Sequence, residues 1–206
     1  MGESYPAARL TAMASDWLCE RYPDALIIRE FSVGTWGGAL IDLAAVRPAE
    51  IIGVEVKGDG DSPTRLKLQS ALYSKAAQRM WLLPAPSLAK KCEVVTYDAW
   101  GILAVEGDQV VVPSGSYRNE PRLLPTAPAQ LLQALWADEL KFIAGGLRGG
   151  CEQLRQHIAD TMPLRDLIPA VCERLRSRPW EKKGLGHKVL WASPQSADHD
   201  LFGTAA

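Results

Sequence analysis

At 206 residues, with 47% apolar and 23% charged residues, the chain has the size and composition of a globular protein: one domain with an appendage, or two small domains. A net charge of −1 gives no overall pull toward nucleic acid or an anionic membrane surface. No apolar run approaches the ~18 residues of a membrane span, and the first residues do not read as a signal peptide, so a cytoplasmic protein without a membrane partner is expected.

The distribution of charge is uneven. Residues 141–188 hold 10 Lys and Arg against 5 Asp and Glu, whereas residues 1–140 hold 13 against 17. The C-terminal region is therefore the basic part of a mildly acidic chain. Cys19, Cys92, Cys151 and Cys172 form no CxxC pair, which predicts free thiols rather than a disulfide framework or a zinc site.

In chain order, Pro6 to Arg21 has the apolar spacing of an amphipathic helix, stopped at Tyr22-Pro23-Asp24. Leu26 to Val33 reads as a strand, and Thr35 to Gly38 as a flexible connector. Leu40 to Val46 and Ile51 to Lys57 are predicted as a hairpin of central strands, nearly continuously apolar because both faces are covered. Ser62-Pro63 then starts a helix running to about Gln78, with Ser as cap and Pro in the first turn. Strands are expected at Met80–Leu83 and Val94–Tyr97, followed by a closing hairpin around Gly107-Asp108.

The four prolines between 113 and 128 mark a linker or an irregular arm. Three helices follow, at 129–144, 148–161 and 164–178, and the segment after Trp180 shows little periodicity. This gives an α/β fold, a mixed central sheet flanked by helices with a C-terminal helical extension. The divisions are 1–112, the arm at 113–128, helices at 129–180 and a tail at 181–206.

The chemistry concentrates in residues 39–73. Residues two apart in a strand share a face, so Glu55 and Lys57 point the same way, and Asp42 on the neighbouring strand can meet them. Hard oxygen ligands of this kind suit Mg²⁺, with Mn²⁺ as a substitute. An ordinary same-face ion pair is the competing reading of Glu55 and Lys57. Asp59 and Asp61 lack the distal glutamate of a calcium loop and read as a turn with a helix cap. His157, His187 and His199 have no metal-ligand spacing. Trp81, Trp100 and Trp136 read as core, and Trp36 as the one tryptophan near substrate.

Asp42, the hairpin, Glu55-x-Lys57 and a helix carrying Gln69 and Tyr73 four apart form a constellation that resembles the PD-(D/E)XK nuclease superfamily, in particular its RecB-type (QxxxY) branch. Ile41 stands where that pattern has proline. The run from Gly38 to Leu83, with Ala99 to Ile102 and Leu135 to Glu139, is further similar to a bacterial family of presumed nucleases neighbouring the MmcB-type DNA-repair proteins.

The resemblance implies a restriction-endonuclease-like fold and a Mg²⁺-dependent DNA nuclease of repair or defence. Asp42, Glu55 and the Val56 carbonyl would be metal ligands, and Lys57 the catalytic lysine. Gln69 and Tyr73 would orient the site or contact the DNA backbone. A further upstream acid is expected, Glu20 in preference to Glu30. Lys67, Arg148, Arg155, Arg174 and Arg178 are candidate DNA contacts, although basic helix faces that merely solvate a bundle would look similar. A catalytically inactive DNA-binding or protein-interaction module on the same fold is the alternative.

Overall fold

A computed structural model of the chain describes residues 4–34 and 39–193. Trp36 and His199 lie outside the described residues. The sheet that organises the molecule has six strands in the order β5-β4-β3-β2-β1-β8. Strands β1 (Leu26–Ser32), β2 (Leu40–Arg47) and β3 (Glu50–Lys57) run antiparallel. Strands β4 (Arg79–Pro84) and β5 (Gly101–Ile102) then join parallel to β3. Parallel neighbours need a crossover, and the helix α2 (Leu66–Tyr73) supplies it between β3 and β4.

The near-continuous apolar runs of β2 and β3 are buried on both sides, which is why neither alternates. One face carries α1 (Ala7–Arg21), whose Leu10, Ala14 and Leu18 pack with Leu43, Val54 and Trp81. Each leucine so buried stabilises the fold by roughly 1.5–3 kcal/mol. The opposite face receives α2 and the C-terminal helices α4 (Pro128–Leu131), α5 (Ala137–Ile143), α6 (Cys151–Thr161) and α7 (Leu164–Ser177). Leu154, Ile158 and Val171 share one buried cluster with Ile28, Ala44 and Ile51. The helical extension therefore packs directly on the sheet.

Several local expectations are corrected. Val94–Tyr97 is not a strand: α3 (Ala89–Val95) occupies this stretch and leaves Val94 exposed. The β-branched pair at its end sits on a helix whose packed residue is Cys92, so tertiary contact overrides strand propensity. The helix after Ser62 begins with a 3-10 turn, Pro63–Arg65, and ends at Tyr73, five residues early. The expected closing hairpin divides. Gly101–Ile102 enters the main sheet, while β6 (Ala104–Glu106) and β7 (Gln109–Val111) make a separate ribbon against α1.

The 129–144 helix is broken before Trp136, which starts α5 with a capping bond from its N–H to Glu139 at 2.8 Å. In the tail, β8 (Val189–Trp191) pairs with Leu26–Ile28 at the sheet edge. Three residues give too short a run for periodicity to register.

The proline-rich segment is an irregular arm laid along the body. Its Arg118 is buried, and the guanidinium donates to the carbonyls of Trp100, Glu93 and Tyr97 at 2.7–3.0 Å. Trp81 and Trp100 are fully buried core residues, as their apolar contexts predict.

Candidate active site

Asp42 sits where the β2–β3 ladder opens. The registered pairs end at Leu43↔Val54, and beyond them the Asp42 carboxylate accepts the Val56 N–H at 2.7 Å. The regular alternation of β1 also slips here. Ile28 and Phe31, three apart, join the same buried cluster, and between them Glu30 has φ +50°. A non-glycine residue at positive φ is strained and persists only where its surroundings hold it.

Glu55 lies under Asp42 and is 1% exposed, with Lys57 beside it at 7%. Lys57 Nζ donates to Glu55 Oε1, while Glu55 Oε2 is buried without a hydrogen-bond partner. Asp42 and Glu55 are near enough for each carboxyl to perturb the other. Burial pushes the Glu55 carboxyl up to about 7, the Asp42 charge adds to this, and Lys57 partly offsets it. Asp42 is also pushed up by burial, against the Val56 N–H and Lys57.

Helix α2 forms the wall of the site. Its short span carries Gln69 and Tyr73 one turn apart, and the Gln69 amide donates to the Tyr73 hydroxyl at 3.2 Å. That hydroxyl donates in turn to the Leu40 carbonyl, tying the helix to the start of β2. Burial first, then the Glu55 charge, pushes Tyr73 up to about 12, so it stays a neutral phenol. Its ring stacks on Trp100 at 6.3 Å, and Gln69 Oε1 is a second buried acceptor without a partner.

Asp42, Glu55, Lys57, Gln69 and Tyr73 are therefore brought together. The two proposed upstream acids are not part of this cluster. Glu20 is exposed at the end of α1. Glu30 instead pairs with Lys188 at 2.6 Å. Asp61 does reach the site electrostatically, raising Asp42, while it caps the turn by accepting the Gly58 N–H at 2.7 Å. Its place after β3 in a tight turn was the available signal. Asp59 is structural, accepting from the Tyr5 N–H and the Ser87 hydroxyl.

The donor set fits a hard divalent cation. Two adjacent carboxylates face each other, one with a buried oxygen lacking any partner. The Val56 carbonyl faces the β2 side, as does its N–H, beyond the last registered pair. Among the described residues no three His, Cys, Asp or Glu side chains are grouped to hold a metal. A cation here would rest on two carboxylates and a carbonyl.

The candidate DNA contacts scatter. Lys67 and Arg148 are exposed, and Lys67 lines a cavity of about 830 Å³ beside Val94 and Tyr97. Arg155 is half-buried, with its Nε on the Leu132 carbonyl at 3.3 Å. Arg174 lies over the Phe142 ring at 4.2 Å. Arg178 is a correction. It is 8% exposed, bonded to both oxygens of Glu139 and to the Ala134 carbonyl, and lies over the rings of Trp136 and Trp180. Its donors are committed to the fold, not to phosphate.

No helix among the described residues is long and apolar enough to cross a membrane. No curated protein and no solved structure matches the chain. The family model for bacteriophage P4 protein cII matches residues 12–188, a span that takes in five of the six strands of the sheet, the carboxylate pair and the C-terminal helices. By that match the chain belongs to the bacteriophage P4 protein cII family.

Proposed function

We propose that the protein is a Mg²⁺-dependent nuclease that hydrolyses phosphodiester bonds in DNA, consistent with its resemblance to the PD-(D/E)XK superfamily. The observation that carries this reading is the buried Glu55–Lys57 pair beside the half-buried Asp42, with one Glu55 oxygen lacking a hydrogen-bond partner. Two neighbouring carboxyls, one of them buried, are costly unless a proton or a cation compensates them.

Asp42, Glu55 and the Val56 carbonyl would hold the ion, Mg²⁺ or Mn²⁺. The ion supplies Lewis-acid polarisation of a phosphoryl oxygen and makes water more acidic. Lys57 carries the positive charge next to the pair; turned from Glu55, its ammonium can offset charge developing on the phosphoryl oxygens. Tyr73 and Gln69 are positioning residues. The phenol proton is engaged by Leu40, and the free Gln69 oxygen is an acceptor for a water or substrate hydroxyl.

A second reading, a catalytically inactive DNA-binding or protein-interaction module, is favoured by one observation: among the described residues no three acidic, His or Cys side chains are grouped to hold a metal. Cleavage separates the two. Purified protein with Mg²⁺ or Mn²⁺ is expected to cut DNA, and Asp42→Ala to lose cutting while unfolding at a temperature near that of wild type. Wild type that binds DNA yet leaves linear, nicked and single-stranded substrates intact would establish the module instead.

A further inference from the structure

The outer edge of β1 is covered by β8 only along Leu26–Ile28. From Arg29 to Ser32 this edge instead lines a cleft of about 600 Å³. Its far wall comes from the C-terminal part of the chain: Trp136, the start of α6 with Arg155, Trp180 and Lys188. Four cations, Arg29, Arg155, Arg178 and Lys188, line it against two carboxylates, Glu30 and Glu152.

These cations are not equivalent. Arg178 is committed to Glu139, and its guanidinium lies over the rings of Trp136 and Trp180, which meet edge to face at 6.0 Å. The Arg29 side chain is exposed and has no hydrogen bond or ion pair among the described residues. Lys188 is held by Glu30 and Arg155 only loosely by Glu152, at 3.5 Å, both carboxylates being largely exposed. An incoming anion can therefore take Arg29 outright and share Lys188 and Arg155.

The cleft lies along the far edge of the strand that neighbours Asp42, and neither Asp42 nor Glu55 lines it. Glu30 stands opposite Asp42, between the registered pairs Arg29↔Leu43 and Phe31↔Ile41. Adjacent strands are about 4.8 Å apart, so the cleft opens one strand away from Asp42. Its volume suits about one or two nucleotides of a single strand.

We propose that this cleft holds a single strand of DNA leading away from the Asp42–Glu55 pair, with Arg29 and Lys188 on its phosphates. The proposal rests on the nuclease reading and adds to it the substrate class, a single-stranded or frayed end.

The test uses the full chain and a fluorescein-labelled oligothymidylate of about 12 nucleotides. Anisotropy titrations run in EDTA at several salt concentrations, so binding is read without cleavage. Arg29→Ala and Lys188→Ala are each expected to weaken binding about three- to tenfold. Each should also reduce the slope of log affinity against log salt by about 0.7. Lys141→Ala, on the exposed face of α5 outside the cleft, is expected to bind like wild type. Thermal midpoints near that of wild type show that the variants are folded.

Both cleft variants binding like wild type would overturn the proposal. So would tighter binding of a blunt duplex of the same length, or binding that salt leaves unchanged. The same oligonucleotide with Mg²⁺ then separates this proposal from the nuclease reading. Binding that depends on Arg29 and Lys188 without any cutting keeps the cleft and removes the nuclease. Cutting that is indifferent to both residues removes the cleft and keeps the nuclease.

Discussion

The Asp42 carboxylate takes the Val56 N–H at 2.7 Å, so a side chain of one central strand replaces a rung of the ladder with the next. The substitution holds a charged group inside the sheet, beside a buried glutamate, at the point where the strands part. Two consequences of that placement can be measured directly on the folded protein.

The first is pH-dependent stability. Glu55 has a folded pKa of about 7 against an ordinary 4.5, so the native state binds a proton that the unfolded chain releases. Its contribution is present below about pH 4.5 and is lost as pH rises toward 7 and beyond. Without added metal, unfolding free energy should fall over that window by on the order of 3 kcal/mol. Glu55→Gln should flatten the slope. Urea titrations from pH 4.5 to 8 check it, and a wild-type stability that rises across the window would contradict the sign.

The second is metal-linked stabilisation. A cation that replaces the Glu55 proton stabilises the folded state by mass action, by about 2–4 °C in thermal midpoint for each kcal/mol. Mg²⁺ should raise the midpoint more at pH 8 than at pH 6, because protons compete for the same oxygens. In Asp42→Ala the rise should vanish. Thermal melts with and without Mg²⁺ at the two pH values give the four numbers needed.

Arg178 is predicted to matter for folding and not for nucleic acid. Removing one partner of a buried pair leaves the other uncompensated, and Arg178→Ala should lose about 3–5 kcal/mol. The double variant Arg178→Met with Glu139→Met should recover part of this, since no lone charge then remains buried. Chemical denaturation of the single and double variants measures the difference.

Gly58 separates the site from helix α1. A Cβ there would meet the Ala7 backbone, with its Cα at 2.9 Å, and backbone cannot swing aside as a side chain can. Gly58→Ala should therefore displace the start of α1, costing about 1–3 kcal/mol by overpacking. Hydrogen exchange at the first turn of α1 should quicken while α7 is unchanged.

The sequence by itself determined what rests on local pattern. The apolar runs at 40–46 and 51–57 identified the central strands, and the period of two put Glu55 and Lys57 on one face. Ser62-Pro63 marked the start of the crossover, and the four-residue spacing joined Gln69 to Tyr73. Each of these follows from covalent geometry over a few residues, so neighbours in the chain suffice to read it.

Only the tertiary structure decided the rest. Val94–Val95 became helical because Cys92 and its turn had a core to pack on. Glu30 turned to Lys188, 158 residues along the chain, and away from the carboxylate pair. Arg178 went inside, although nothing in a basic helix distinguishes the arginine that solvates from the one that pairs with Glu139. These outcomes depend on which charge finds a partner across long sequence separations and on how far each is removed from water, and that is settled when the chain closes on itself.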